Sequence, residues 1–160
     1  IDTEYVHFGG KPLRGCIACM KCAEKKDKKC TLPDDGLNGY VEKMGQADGI
    51  ILASPVYFSN VTSEMKALID RAGFVVKANG GFLRRKVGAA VVAVRRAGAT
   101  IVYSDLHFFF GLNEMVIATS SYWNLGVGRM PGEVLKDEEG IKTMENLGKN
   151  MAWILKKLNT

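Results

Sequence analysis

All four cysteines of the chain lie in one short segment, at Cys16, Cys19, Cys22 and Cys30. Their spacing is C-x2-C-x2-C-x7-C. Three thiolates two residues apart can hold one side of an iron–sulfur cubane, and a fourth from farther along the chain can complete the ligand set. The pattern therefore predicts a 4Fe–4S cluster, held by a cysteine-rich loop over residues 15–33.

Other states of these cysteines stay open. Zn²⁺ also binds four thiolates, although zinc loops usually come as two separated C-x2-C pairs. Disulfides are disfavoured if the protein is cytoplasmic, and four free thiols are a further alternative. Lysines flank the fourth cysteine, and their charge could offset a thiolate-bound cluster or dock an acidic electron-transfer partner such as a ferredoxin. They are Lys25, Lys26, Lys28 and Lys29.

The elements that carry this loop are predicted to alternate between strands and helices, which favours a parallel sheet covered on both faces. Two nearly continuous apolar runs are typical of strands buried on both faces. Helices are predicted where apolar residues recur at i, i+3, i+4 and i+7. The predicted strands are 4–8, 49–53, 87–94 and 115–118. The predicted helices are 35–46, capped by Asp34 or Asp35, then one capped by Thr62 or Ser63, then 100–112 and 137–158.

This alternation predicts an α/β fold, a flavodoxin-like doubly wound parallel sheet of strand order 2-1-3-4-5. In that order the first strand lies between the second and the third. If residues 4–8 are the second strand, the first strand and the phosphate loop that follows it are missing. We therefore expect one domain over residues 1–160, truncated or processed at Ile1.

Open α/β sheets bind ligands beyond the carboxyl ends of their strands, and three loops are predicted there. An isoalloxazine ring needs a flat apolar slot and a few backbone partners at its edge. Pro55 stiffens the first loop, and Tyr57 and Phe58 can supply the walls of the slot. The residues predicted to hold a flavin in this loop are Ser54, Pro55, Val56, Tyr57, Phe58 and Asn60.

The second predicted loop joins positive charge to a small residue. Arg95 or Arg96 can place a cation near the ring and stabilise a reduced flavin. Gly98 allows the backbone to approach the ring closely. We predict that this loop contributes Arg95, Arg96, Ala97 and Gly98, and that a third loop over residues 119–124 lies at the same edge.

Composition and missing motifs exclude several other classes of protein. The net charge of +5 is spread along the chain, which does not indicate a nucleic-acid-binding face. No apolar run is long enough to span a membrane, and no signal peptide begins the chain, so a cytoplasmic protein is expected. G-x-G-x-x-G after a strand and the G-x-S-x-G elbow are both missing. His7 and His107, the only histidines, are expected to be structural.

Three segments resemble the NADPH-dependent FMN reductase and multimeric flavodoxin families. The third strand, flavin loop and helix of those families are similar to ADGIILASPVYFSNVTSEMKALIDR. Their C-terminal part resembles SSYWN followed by DEEGIKTMENLGKNMAWILKKL, and their iron–sulfur flavoprotein branch resembles GCIACMKC with its later cysteine. The resemblance implies a flavodoxin-like fold, non-covalent FMN, NAD(P)H or ferredoxin as electron donor, and a homodimer or homotetramer.

Two functions of different classes follow. The first is an FMN-dependent oxidoreductase of the NAD(P)H-dependent FMN reductase or quinone reductase type. It would pass electrons to a quinone-like or other small acceptor, with or without the cluster, and the flavin itself would do the redox chemistry. The second is a non-enzymatic module that senses oxidation or metal through the cysteine loop.

Overall fold

A computed structural model describes residues 1–158. Within that range the chain alternates helices with short parallel strands. The elements in chain order are α1 (Lys21–Lys25), α2 (Leu37–Gln46), β1 (Gly49–Pro55), α3 (Ser63–Ala78), β2 (Val87–Val94), α4 (Ala99–Leu112), β3 (Val116–Ile117), β4 (Leu125–Val127), a 3-10 turn (Glu133–Lys136) and α5 (Glu138–Leu158).

The sheet is parallel throughout, and β2 is its centre. β1 pairs along one edge of β2, from Gly49 opposite Val87 to Pro55 opposite Ala93. The other edge of β2 is shared, because β3 pairs with its first residues and β4 with its last. β3 and β4 therefore occupy one strand position beside β2, and the segment between them leaves the sheet halfway along that position and then returns to it.

Helices cover both faces of the sheet, as a doubly wound fold requires. One face packs α2, α3 and α4 against apolar side chains of β1 and β2. On the other face α5 packs Leu147, Met151 and Leu155 against Val87 and Ala89. The predicted α/β architecture is thus confirmed within the described residues. No helix in residues 1–158 is both long enough and apolar enough to cross a membrane.

Several predicted elements hold, and others are wrong. Helices α2, α3, α4 and α5 and strand β2 lie where they were predicted, and Thr62 caps α3 by accepting a hydrogen bond from the Met65 N–H at 3.2 Å. Residues 4–8 form no strand. They lie beside helix α2 instead, where the Phe8 and Tyr40 rings are tilted by 40° with their centroids 5.6 Å apart and Lys43 pairs with Glu4. With no described strand beside them, residues 4–8 gain no ladder hydrogen bonds from a strand conformation.

β1 differs from its prediction in burial. Ile50 and Leu52 are buried, whereas Ile51 and Ala53 on the opposite face are exposed. In residues 1–158, β1 pairs with β2 alone. One face of the apolar strand β1 is therefore left uncovered by the described residues. The similar apolar strand β2 is buried almost throughout.

Gly88 in β2 has no room for a side chain. A Cβ atom there would lie 2.5 Å from Cδ1 of Phe110 and 2.8 Å from its Cγ. The Phe110 ring is fully buried, so it cannot turn away into solvent. Close packing of α4 on the sheet therefore requires glycine at this position.

Gly88→Ala is expected to lower the free energy of unfolding by about 1–3 kcal/mol, because the added methyl overfills the core. The matched control is Gly148→Ala in α5, where a Cβ meets nothing within 4 Å and the residue is exposed. That change should be neutral or stabilise by up to about 1 kcal/mol, since alanine favours a helix interior. Urea unfolding measures both, and equal effects of the two changes would contradict the packing argument.

Candidate flavin and cysteine sites

The loop after β1 folds back on itself in a tight turn. The Tyr57 N–H donates to the Asn60 carbonyl and the Asn60 N–H to the Tyr57 carbonyl, both at 3.0 Å. The two residues between them, Phe58 and Ser59, have φ of 48° and 58°. Two successive left-handed residues are usually Gly or Asn. The turn holds the fully exposed Phe58 ring out into solvent at some cost in backbone energy, which is a common feature of ligand-binding loops.

Side chains within this loop fix its two ends. The buried Ser54 hydroxyl donates to the Pro55 carbonyl at 2.9 Å and accepts from the Thr62 N–H at 3.2 Å. Asn60 Oδ1 accepts from the Val61 N–H at 2.8 Å. These bonds tie the end of β1 directly to the start of α3.

The structure brings the loops after β1 and β2 together at Gly98. Gly98 has φ of 86°, and a Cβ atom there would lie 2.9 Å from Ser59 Oγ and 3.0 Å from Val56 Cγ1. The Val56 N–H also donates to the Ala93 carbonyl at 3.0 Å. The predicted neighbours in the second loop are exposed at the same edge of the sheet; they are Arg95, Arg96 and Ala97.

The third predicted loop, residues 119–124, follows β3, but β3 ends beside the first residues of β2, so this loop begins partway along the sheet and not at the edge where the other two loops meet. It is the excursion between β3 and β4, and its Asn124 side chain donates to the Ala90 carbonyl at 2.9 Å inside the sheet. The Trp123 ring lies 5.8 Å from the Tyr103 ring of α4. Burial raises the pKa of Tyr103. Strand β4 has only three residues and carries no local pattern of its own, which is why the position of this loop differs from its prediction.

All four cysteines line one small pocket that is partly open to solvent. Helix α1 was not predicted, and it carries Cys22 on its single turn. Ala18 and Met20 adopt left-handed φ angles of 50° and 58°, which curls the backbone around the cysteines. The Ala18 N–H donates to Cys16 Sγ at 3.4 Å. The C-x2-C-x2-C-x7-C segment is therefore folded as one thiol-lined cup.

The thiols of this pocket differ in acidity. Hydrogen bonds from the Lys21 backbone and the Thr31 side chain lower the pKa of Cys19. Burial raises the pKa of Cys22, and the nearby Cys30 and Cys19 add to that effect.

Arg71 is a residue beside the cysteine pocket that the sequence prediction missed. It lies on α3 and is only 2% exposed. Its Nε donates to Cys30 Sγ at 3.4 Å, and its Nη1 donates to Asp35 Oδ2 at 2.5 Å and to the Arg14 carbonyl at 3.0 Å. The available signal was an arginine on the apolar face of α3, with Ala67, Leu68 and Val75 one helical turn away and no carboxylate at those positions, because such a charge is almost never buried unpaired.

A second residue of α3 holds the same loop. Asn79, at the C-terminal end of the helix, accepts from the Lys28 N–H at 2.9 Å and donates to the Cys22 carbonyl at 3.5 Å. Helix α3 thus begins at the loop after β1 and carries both anchors of the cysteine pocket. One rigid helix fixes the two predicted sites relative to each other.

The donor set of the pocket is four cysteine thiols, the ligand type that iron–sulfur clusters use. In residues 1–158, no three Cys, His, Asp or Glu side chains converge closely enough to hold one ion. One zinc ion needs its thiolates at about 2.3 Å from a single point. A 4Fe–4S cluster gives each cysteine its own iron, so its ligands surround a wider space. Four cysteines line one pocket, an N–H donates to Cys16 Sγ and a guanidinium donates to Cys30 Sγ, so the residue types present are those that bind a cluster.

Comparison with known proteins decides the family. The sequence profile of the NADPH-dependent FMN reductases matches residues 1–129. The chain belongs to the NADPH-dependent FMN reductase family. It is 39% identical to an iron–sulfur flavoprotein of Methanocaldococcus jannaschii, over 98% of this chain and 82% of the relative. An iron–sulfur flavoprotein of Archaeoglobus fulgidus is 30% identical, over 98% of this chain and 83% of its own.

These relatives confirm the predicted family and its iron–sulfur flavoprotein branch, and membership makes the chain a flavoprotein of the oxidoreductase class. Solved structures confirm the flavodoxin-like fold. RosB, solved with 8-demethyl-8-formylriboflavin-5'-phosphate, gives a TM-score of 0.58 at 17% identity, over 80% of this chain and 55% of its own. The Trp repressor binding protein of Bacillus subtilis gives 0.54 at 16% identity, over 73% and 69%.

The buried pair between Arg71 and Asp35 yields a prediction that depends on pH. Burial opposes the charge of Asp35, but hydrogen bonds from Arg71 and from the Arg14 N–H hold the pKa of Asp35 below its ordinary value. The pair therefore stabilises the fold fully above the unfolded pKa of about 3.9, and the gain is lost as pH falls through the folded pKa. Asp35→Asn should cost about 3–5 kcal/mol near pH 7, since it leaves Arg71 buried and unpaired.

Urea unfolding between pH 2.5 and 7 measures this, and the gap between wild type and Asp35→Asn should close at the acid end. Asp70→Asn is the matched control. Asp70 pairs with Lys66 one helical turn away, and both side chains are well exposed. Its loss should cost less than about 1 kcal/mol at every pH. A gap for Asp35→Asn that stays constant down to pH 2.5 would contradict the charge argument.

Proposed function

We propose that this protein is an FMN-dependent oxidoreductase that takes electrons from NAD(P)H or a ferredoxin and passes them to a quinone-like or other small acceptor. The observation that carries the proposal is the contact between the loops after β1 and β2. Gly98 lets the two loops meet beside the exposed Tyr57 and Phe58 rings. Flat apolar groups with backbone partners at a sheet's carboxyl edge suit an isoalloxazine ring.

The residues of the two loops would bind and orient the flavin. The tight turn presents Tyr57 and Phe58 to solvent, where they would flank the ring and limit the acceptor's approach. Arg95 and Arg96 follow β2 and would place positive charge at that edge. When bound, FMN supplies the hydride and electron chemistry, so no side chain need act as the acid or base.

We further propose that the thiol cup holds a 4Fe–4S cluster through Cys16, Cys19, Cys22 and Cys30. The cluster would exchange electrons with the flavin site one at a time. Four thiols around one pocket support this, together with the buried arginine on Cys30. The relatives from Methanocaldococcus jannaschii and Archaeoglobus fulgidus are both iron–sulfur flavoproteins, which points the same way.

Anaerobic purification followed by iron, acid-labile sulfide and FMN analysis tests the proposal. We expect about four irons and four sulfides per chain, a flavin absorption band, and bleaching of that band by NADPH or a reduced ferredoxin. Cys30→Ser should lower the iron and sulfide content and leave the bound FMN unchanged. Zinc in place of iron would contradict the cluster. A colourless protein that cannot be reconstituted with FMN would contradict the oxidoreductase and favour a sensing module.

The contact at Gly98 gives a separate prediction for the flavin site. Gly98→Ala should weaken FMN binding at least about tenfold, or about 1.4 kcal/mol, because its Cβ would push the Ser59 turn away. Gly80→Ala is the matched control, since Gly80 also has a left-handed φ but a Cβ there meets nothing within 4 Å. Fluorescence titration of FMN measures both. Equal losses for both variants would show that backbone strain alone, and not the loop contact, sets the affinity.

A further inference from the structure

Arg71 carries a positive charge in the buried interior of the protein. The guanidinium is removed from water, and its two edges face different partners. Nε points at Cys30 Sγ at 3.4 Å, while Nη1 points at Asp35 Oδ2 and the Arg14 carbonyl. Asp35 also accepts from the Arg14 N–H at 2.9 Å. The pair is therefore an oriented dipole whose positive end touches a cysteine sulfur.

Other cations near the loop are placed differently. Lys25, Lys26, Lys28 and Lys29 are all exposed. Water and salt screen exposed charges strongly, whereas a charge in a low-dielectric interior acts on its neighbour with far less screening. Arg71 is thus the cation whose field at Cys30 is least screened.

We propose that Arg71 is a positioning residue that fixes Cys30 and raises the reduction potential of the iron–sulfur cluster this thiolate would help to bind. The inference rests on the proposed cluster. Hydrogen bonds to the ligating sulfurs and nearby charge are the main protein contributions to the potential of such a cluster. One-electron reduction of the cluster adds one negative charge, and no bond breaks and no proton moves. The guanidinium stabilises that added charge, and Asp35 opposes it.

This arrangement predicts opposite effects for the two members of one ion pair. Arg71→Gln removes the cation and leaves the Asp35 carboxylate, so the potential should fall. Asp35→Asn removes the anion and leaves the cation on Cys30, so the potential should rise. Both changes break the same buried pair, so a purely structural role would move the potential in the same direction in both variants.

The experiment is a potentiometric titration of the anaerobically prepared protein with dithionite and mediator dyes, followed by the electron paramagnetic resonance signal of the reduced cluster. Each cluster takes one electron from dithionite. We expect Arg71→Gln to lower the ratio of reduced to oxidised cluster at least about tenfold at a fixed potential, which is about 59 mV for a one-electron couple. Asp35→Asn should raise that ratio, and Arg71→Lys should lie between wild type and Arg71→Gln.

Two controls separate charge from position. Arg84→Gln removes an arginine from an exposed ion pair with Glu114 and should leave the potential unchanged. Asn79→Ala loosens the anchors at Lys28 and Cys22 without changing charge. If Asn79→Ala reproduces the Arg71→Gln shift, the role of charge is overturned.

Other results of the titration would overturn the inference about Arg71. Shifts of the same sign in Arg71→Gln and Asp35→Asn would overturn the inference, and so would unmoved potentials in both. If Arg71→Gln does not fold, two measurements still test the inference. The reduction potential should rise in Asp35→Asn and should fall in Arg71→Lys. Wild-type protein without iron and sulfide would remove the proposed cluster and this inference together, whereas a loaded wild type with unmoved potentials would remove only the inference.

Discussion

Arg71 and Asp35 form an ion pair that is almost completely removed from water, with side chains that are 1% and 9% exposed. Removing two charges from water costs several kcal/mol each, and the attraction between them offsets that cost only when the geometry is good and the other polar atoms are bonded. Here Arg71 Nε also donates to Cys30 Sγ, and Nη1 donates to the Arg14 carbonyl as well as to Asp35. The pair therefore joins α3, the cysteine loop and the segment before α2 into one body.

Helix α3 carries this connection to the flavin loop. It begins after the Ser59 turn and is tied to β1 through Ser54 and Thr62. Arg71 lies eight residues after the first residue of the helix, or about 12 Å along its axis. A flavin at one end and a cluster beside the middle of the helix would hold a fixed separation, because a packed helix bends little. The two proposed sites thus share one rigid support.

The fold could be predicted from the sequence because it depends on which residues are buried, and burial recurs along the chain with the period of a strand or a helix. The continuous apolar run of β2 and the helical spacing of α5 are local patterns, and both were confirmed. Residues 4–8 have the composition of a strand but no described strand to pair with, and they lie beside helix α2. β4 was too short to stand out. A three-residue strand depends on its register with Val92 to Val94, which local sequence does not encode.

The candidate sites also combine features that adjacent residues encode with features that depend on contacts between distant residues. The cysteine spacing and the loop after β1 carry their chemistry in adjacent residues, so the chain's sequence sufficed to name the thiols and the flavin loop as candidates. Arg71 was missed because its three hydrogen-bond partners are 36, 41 and 57 residues away along the chain. The contact of Gly98 with Ser59 depends equally on two loops meeting at one sheet edge. Local patterns could reveal which groups are present, whereas charge burial and loop contact arise only when distant segments pack.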